Sequence, residues 1–113
     1  MSYLPWTFIA LMAAFLLYAR FAGKTSSAEA RRLVAAGARL VDVRTAGEFA
    51  TGHIDGAVNI PVDELAARVG ELGPKDAPVV VYCRSGARSG RAAGLLRALG
   101  HGQVADLGPM SAW

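Results

Sequence analysis

The chain has 113 residues, 53% of them hydrophobic, with one cysteine and a formal charge of +3. That length bounds it to one domain, and the apolar fraction excludes a disordered chain. A charge this mild and this scattered argues against nucleic acid as a partner. A single cysteine excludes both an internal disulfide and a zinc site built on several thiolates.

Residues 1–19 carry no charge, and Arg20, Lys24, Arg31 and Arg32 follow. Residues 3–22 make an apolar stretch of about 20 residues, roughly 30 Å as a helix and enough for a membrane span. Tyr3 and Trp6 at one end and Tyr18 and Phe21 at the other suit its interfaces. A cleaved signal peptide and a buried core helix are the competing readings. The first would want a Lys or Arg before the apolar run, and the second would need a larger domain to wrap it. The span reading gives residues 1–24 as a transmembrane helix with a short linker and residues 25–113 as the domain. Positive charge after the span places the N-terminus outside and the domain in the cytoplasm, where a free thiol stays reduced.

Within the domain, Ser26 and Glu29 have capping-box spacing for a helix ending near Gly37. Residues 39–43 read as a short buried strand. Thr45 and Glu48 repeat the capping spacing before a helix of one or two turns stopped by Gly52. Residues 57–60 read as a second strand and residues 63–72 as an amphipathic helix. Residues 79–82 are the most β-prone run, residues 89–99 a helix, and residues 104–107 a last strand. Strands alternating with helices predict an α/β domain with a mainly parallel sheet covered on both faces.

Ligands of such sheets bind at the carboxyl ends of the strands. Cys83 follows the most apolar strand and opens the loop Cys83-Arg84-Ser85-Gly86-Ala87-Arg88 into a helix N-terminus. A glycine turn there lets successive N–H groups converge on an anion, and the helix dipole favours a thiolate. Arg84 and Arg88 add positive charge, one or both suited to an anionic substrate. The alternative reading is a thiol that only fills the top of the core. Asp42 and Arg44 end the first strand, either supporting the loop or forming an ion-paired turn. With only His53 and His101 in the chain, no metal site is expected, and His53 reads as a structural hydrogen-bonder.

Two blocks of residues carry a resemblance. One is Asp42-Val43-Arg44 with Glu48-Phe49 and Gly52-His53-Ile54, running into Gly56-Ala57-Val58-Asn59-Ile60-Pro61; the other is Val80 through Ser89 around Cys83. In this order they make residues 25–113 resemble the rhodanese (sulfurtransferase) domain. The closing Gly108 to Trp113 is similar to that family's Gly-Gly…Trp segment, with Pro109 as the second glycine. The family's usual first strand is not legible before Ser26, and the chain ends before the helix that often follows the tryptophan.

The resemblance implies a small parallel sheet flanked by helices and a mechanism without metal or organic cofactor. Cys83 would attack the outer sulfur of a donor such as thiosulfate and carry it as a persulfide to cyanide or a thiol. The amides of residues 84–88 would cradle that sulfur, and Arg84 and Arg88 would dock the donor's sulfonate. Related phosphatases use a Cys-x5-Arg loop. Cys83 to Arg88 is the shorter Cys-x4-Arg, which disfavours phosphate chemistry. A membrane-tethered persulfide carrier, exchanging sulfur with partner proteins and not turning over small donors, is the alternative. A structural adaptor that keeps only the fold is a further one.

Overall fold

The computed structural model describes residues 4–21 and 23–113. Helix α1, Leu4–Phe21, has 18 residues. Its uncharged part, residues 4–19, rises only about 24 Å, short of the roughly 30 Å hydrocarbon core. Among the described residues no helix is long and apolar enough to cross a membrane. This corrects the span expected over residues 3–22; Arg20 falls inside the last helical turn and shortens the apolar length. Tyr3 and the side chains of Tyr18 and Phe21, expected at the interfaces, lie outside the described residues.

The domain follows the predicted order. Helix α2 is Ser27–Ala35, strand β1 Arg39–Asp42, helix α3 Ala46–Ala50 and strand β2 Val58–Asn59. Ser26 caps α2 by accepting from the Glu29 N–H at 3.1 Å, but the Glu29 carboxylate turns to Arg32, so the reciprocal half of the box is missing. At α3 both halves form, with Thr45 and Glu48 exchanging bonds. The amphipathic segment expected over residues 63–72 is broken into a 3₁₀ turn Val62–Glu64, a single α-turn α4 Leu65–Arg68, and a second 3₁₀ turn Val69–Leu72. It still buries Leu65 and Leu72 fully. Strand β3 is Val79–Cys83, helix α5 Ala87–Ala98 and strand β4 Val104–Pro109.

The four strands are all parallel, in the order β2-β1-β3-β4. The period-two alternation of β3 divides the core between the two sheet faces. Val79, Val81 and Cys83 pack with Val41, Val43, Leu65, Ala92, Ala93 and Leu96, beneath α4 and α5. Val80 and Tyr82 pack with Leu40, Ala30 and Leu107, beneath α2 and the C-terminal segment. Each fully buried Val or Leu contributes about 1.5–3 kcal/mol, so both faces are needed in a domain this small.

The missing first strand is reduced to one residue. Lys24 bridges in parallel to Asp106 on the outer edge of β4, and the Thr25 N–H donates to the Asp106 carbonyl at 2.7 Å. At the other terminus Trp113 packs against the second core. Arg31 lies over its ring at 4.5 Å and donates to its carbonyl oxygen. Arg31 and Arg32, part of the positive charge that follows the apolar run, are thus engaged with Trp113 and Glu29.

Candidate active site

The chain turns from β1 to β2 on one side and then crosses to β3 on the other side of β1. That reversal opens a crevice at the carboxyl ends of β1 and β3, the place where open α/β sheets bind ligands. β1 delivers Asp42 and Arg44 to it, and β3 delivers Cys83.

Cys83 is the last residue of β3 and is fully buried. The sequence placed it just after the strand; the pairing of Cys83 with Pro109 extends β3 by that one residue. Its Sγ accepts the Gly86 N–H at 2.9 Å. Gly86 has φ +101°, a left-handed conformation open to glycine with little strain, and it is the N-cap of α5. The loop therefore curls back over the sulfur within three residues and leads straight into a helix of 12 residues. A sulfur anion here gains a backbone donor and the positive end of the α5 dipole. The Gly86 carbonyl is held from three sides, by the Gly90 N–H at 3.1 Å, Ser89 Oγ at 3.1 Å and Lys24 Nζ at 2.9 Å.

The two loop arginines have different fates. Arg88 is bound in both directions to Glu48 of α3, Nη1 to Oε1 at 2.6 Å and Nη2 to Oε2 at 3.0 Å. The Arg88 hydrogen bonds, with the Thr45 N–H second, hold the Glu48 carboxyl down at about 2. Arg88 thus enters the loop as one half of an ion pair, and its charge still acts on Cys83. Arg84 is exposed and makes no hydrogen bond or ion pair among the described residues. Ser85 and Ala87 are exposed beside it, at the mouth of the loop.

Asp42 and Arg44 form the ion-paired turn. Arg44 Nη2 donates to Asp42 Oδ2 at 2.8 Å and to the Gly52 carbonyl at 2.6 Å, while the Arg44 N–H donates to Asp42 Oδ1 at 2.9 Å. The Asp42 side chain is fully buried and that of Arg44 is 6% exposed. Asn59 Nδ2 ties the two backbones by donating to the Asp42 and Arg44 carbonyls. This unit fixes the floor beside the loop and the start of α3, and through α3 the position of Glu48. Tyr82 completes the floor: its hydroxyl accepts the Ile54 N–H at 3.1 Å, and burial pushes its pKa upward. His53 stacks on Phe49 with its Nδ1 3.0 Å from the Phe49 carbonyl, a structural role. Among the described residues no cluster of His, Cys, Asp or Glu could hold a metal ion.

Sequence reasoning missed Glu48 and Lys24 as site residues. Glu48 was visible as a capping residue and in the first block of the resemblance, with no role at the site; its bond to Arg88 spans 40 positions and leaves no local signal.

Comparison with known proteins agrees with this geometry. The profile of the Rhodanese-like domain family matches residues 26–113. A sulfurtransferase of Allochromatium vinosum is 47% identical over 75 residues, covering 66% of this chain and 69% of that protein. A thiosulfate sulfurtransferase of Escherichia coli is 36% identical, covering 60% of this chain and 66% of that protein. A human single-domain sulfurtransferase superposes with a TM-score of 0.67 at 35% identity, covering 81% of this chain and 92% of that one. A parallel sheet, one cysteine under a helix-capping glycine and these relatives lead to one conclusion: the chain belongs to the rhodanese-like domain family and is a rhodanese-type sulfurtransferase with a single cysteine.

Proposed function

We propose that the chain moves sulfane sulfur through a persulfide on Cys83. The observation that carries this reading is the Gly86 N–H donating to Sγ at 2.9 Å at the start of α5. The Cys83 thiolate attacks the outer sulfur of thiosulfate; the S–S bond of the donor breaks and its electron pair leaves with sulfite. The persulfide anion then stays under the loop amides, which stabilise charge by preorganised donation. Cyanide or a thiol attacks the outer sulfur, takes it as thiocyanate or a new persulfide, and returns the thiolate. No cofactor enters either step.

Cys83 has no exposed surface beneath the loop, so any reagent reaches its sulfur only as the loop yields. Arg84 is the charge that would receive the donor's anionic end. The relatives named as thiosulfate sulfurtransferases support thiosulfate as a donor class. The test is steady-state transfer from thiosulfate to cyanide: wild type turns over and Cys83→Ser does not. Turnover by Cys83→Ser near the wild-type rate would refute the reading. A folded wild type that accepts sulfur only from a partner protein's persulfide would favour the carrier alternative.

The same proposal places the domain at a membrane on its cytoplasmic side. Its support is the exposure of Trp6, Phe8, Ile9 and Leu11 on α1, at 75%, 63%, 56% and 66%, and a free thiol suited to a reducing compartment. Reporter fusions at residue 113 with sedimentation of membranes at neutral pH test it. A reporter found on the outer side, or a chain that never sediments with membranes, refutes this placement.

A further inference from the structure

Lys24 stands two residues before the segment that matches the family, yet its side chain reaches the underside of the reactive loop. Nζ donates to the Gly86 carbonyl at 2.9 Å and to Asp106 Oδ2 at 2.5 Å. Asp106 Oδ1 accepts the Gly108 N–H at 2.9 Å, which fixes the carboxylate. Only 19% of the Lys24 side chain and 5% of the Asp106 side chain are exposed. The slot is lined by residues without side chains: a Cβ at Gly90 would stand 3.3 Å from Lys24 Nζ, and one at Gly108 3.3 Å from its Cδ.

Neutralising Asp106 would not require the second bond to Gly86. That bond matters because of what Gly86 does: its N–H holds Sγ, and its carbonyl heads the peptide to Ala87. No peptide bond in the described chain is cis, so the Ala87 N–H points opposite to the carbonyl that Lys24 draws toward itself. Ala87 is the first residue of α5, and its N–H has no partner within the helix. A cation on the carbonyl also polarises the N–H of the same peptide.

We infer that Lys24 is a positioning residue of the sulfur-transfer loop: its ammonium, balanced by Asp106, fixes and polarises the Gly86–Ala87 peptide so that both flanking N–H groups are presented to a sulfur anion on Cys83. This rests on the Cys83 chemistry proposed above, so the test reads the thiol without any sulfur donor. The rate of Cys83 alkylation by iodoacetamide and the melting temperature are measured on the full chain for wild type, Lys24→Met and Lys24→Met/Asp106→Asn. The double variant leaves no charge unpaired in the slot and melts close to wild type. Both variants alkylate about tenfold more slowly than wild type, the loss of a charge-assisted bond that shapes the anion's donors. If the single variant does not fold, the double variant carries the comparison. A double variant that alkylates at the wild-type rate, or that melts far below wild type, overturns the inference. Failure of wild type to take up sulfur in a separate assay would sink the Cys83 reading and leave the alkylation result standing.

Discussion

Arg84 and Arg88 lie four positions apart in one loop and carry the same charge, yet the structure separates their contributions. Arg84 is exposed and unpaired, so a bond to the donor's sulfonate is a new charge-assisted interaction of about 1.5–3 kcal/mol. Arg84→Met should therefore raise the thiosulfate KM by roughly 10- to 150-fold, since about 1.4 kcal/mol is a factor of ten. Arg88 already makes two bonds to Glu48, and its side chain is 32% exposed. A half-exposed pair of this kind is worth at most about 1 kcal/mol, and the Glu48 carboxylate offsets much of the charge Arg88 would offer a donor. Arg88→Met should raise KM no more than about fivefold, by leaving the Glu48 carboxylate unbalanced near a dianion. Glu48→Gln releases the Arg88 guanidinium and should lower KM below wild type. The assay is initial rate against thiosulfate at fixed cyanide, at low and physiological ionic strength; the Arg84 effect shrinks with salt. A larger KM change for Arg88→Met than for Arg84→Met would refute the assignment.

Three further outcomes follow from the surroundings of the loop. Asp42→Asn leaves Arg44 buried without its carboxylate and should cost about 3–5 kcal/mol in urea unfolding, most of it recovered in Asp42→Asn/Arg44→Met; a single-variant loss under about 1 kcal/mol contradicts the buried-pair account. Gly86→Ala meets no hard contact, its nearest neighbour being Pro109 Cδ at 3.5 Å, but φ +101° strains any other residue, so the domain should lose about 1–2 kcal/mol and alkylate more slowly at Cys83; an unchanged melting temperature would mean the loop tolerates another turn. The Glu48 carboxyl titrates at about 2 in the folded chain and at 4.5 unfolded, so its contribution is present above pH 4.5 and is lost as pH falls toward 2. Glu48→Gln should flatten the acid side of the melting-temperature profile relative to wild type, and parallel profiles would contradict this.

What could be read in the sequence was local in character. Capping at Ser26 and Thr45, the apolar run of β3 and the glycine of the Cys83 loop each fix conformation within a few residues, and all reappear in the structure. The amphipathic pattern over residues 63–72 has the right period for one helix. Gly70, a poor helix former, falls in the second 3₁₀ turn, and the broken segment still buries Leu65 and Leu72. The family's first strand looked absent because one bridging residue, Lys24, leaves no alternation to detect. The pairings that set the electrostatics of the site, Glu48 with Arg88 and Lys24 with Asp106, join residues 40 and 82 positions apart. Charge at such distances is legible only as composition, which is why the partner of Arg88 could not be read from the sequence.

The proposed function stands or falls on Cys83 taking sulfur from thiosulfate. Intact mass of the full chain after brief exposure to thiosulfate, beside Cys83→Ser, tests it most directly. The account predicts a gain of one sulfur atom on wild type, removed by cyanide with formation of thiocyanate and missing from Cys83→Ser. The same gain on Cys83→Ser, or none on folded wild type, would contradict it.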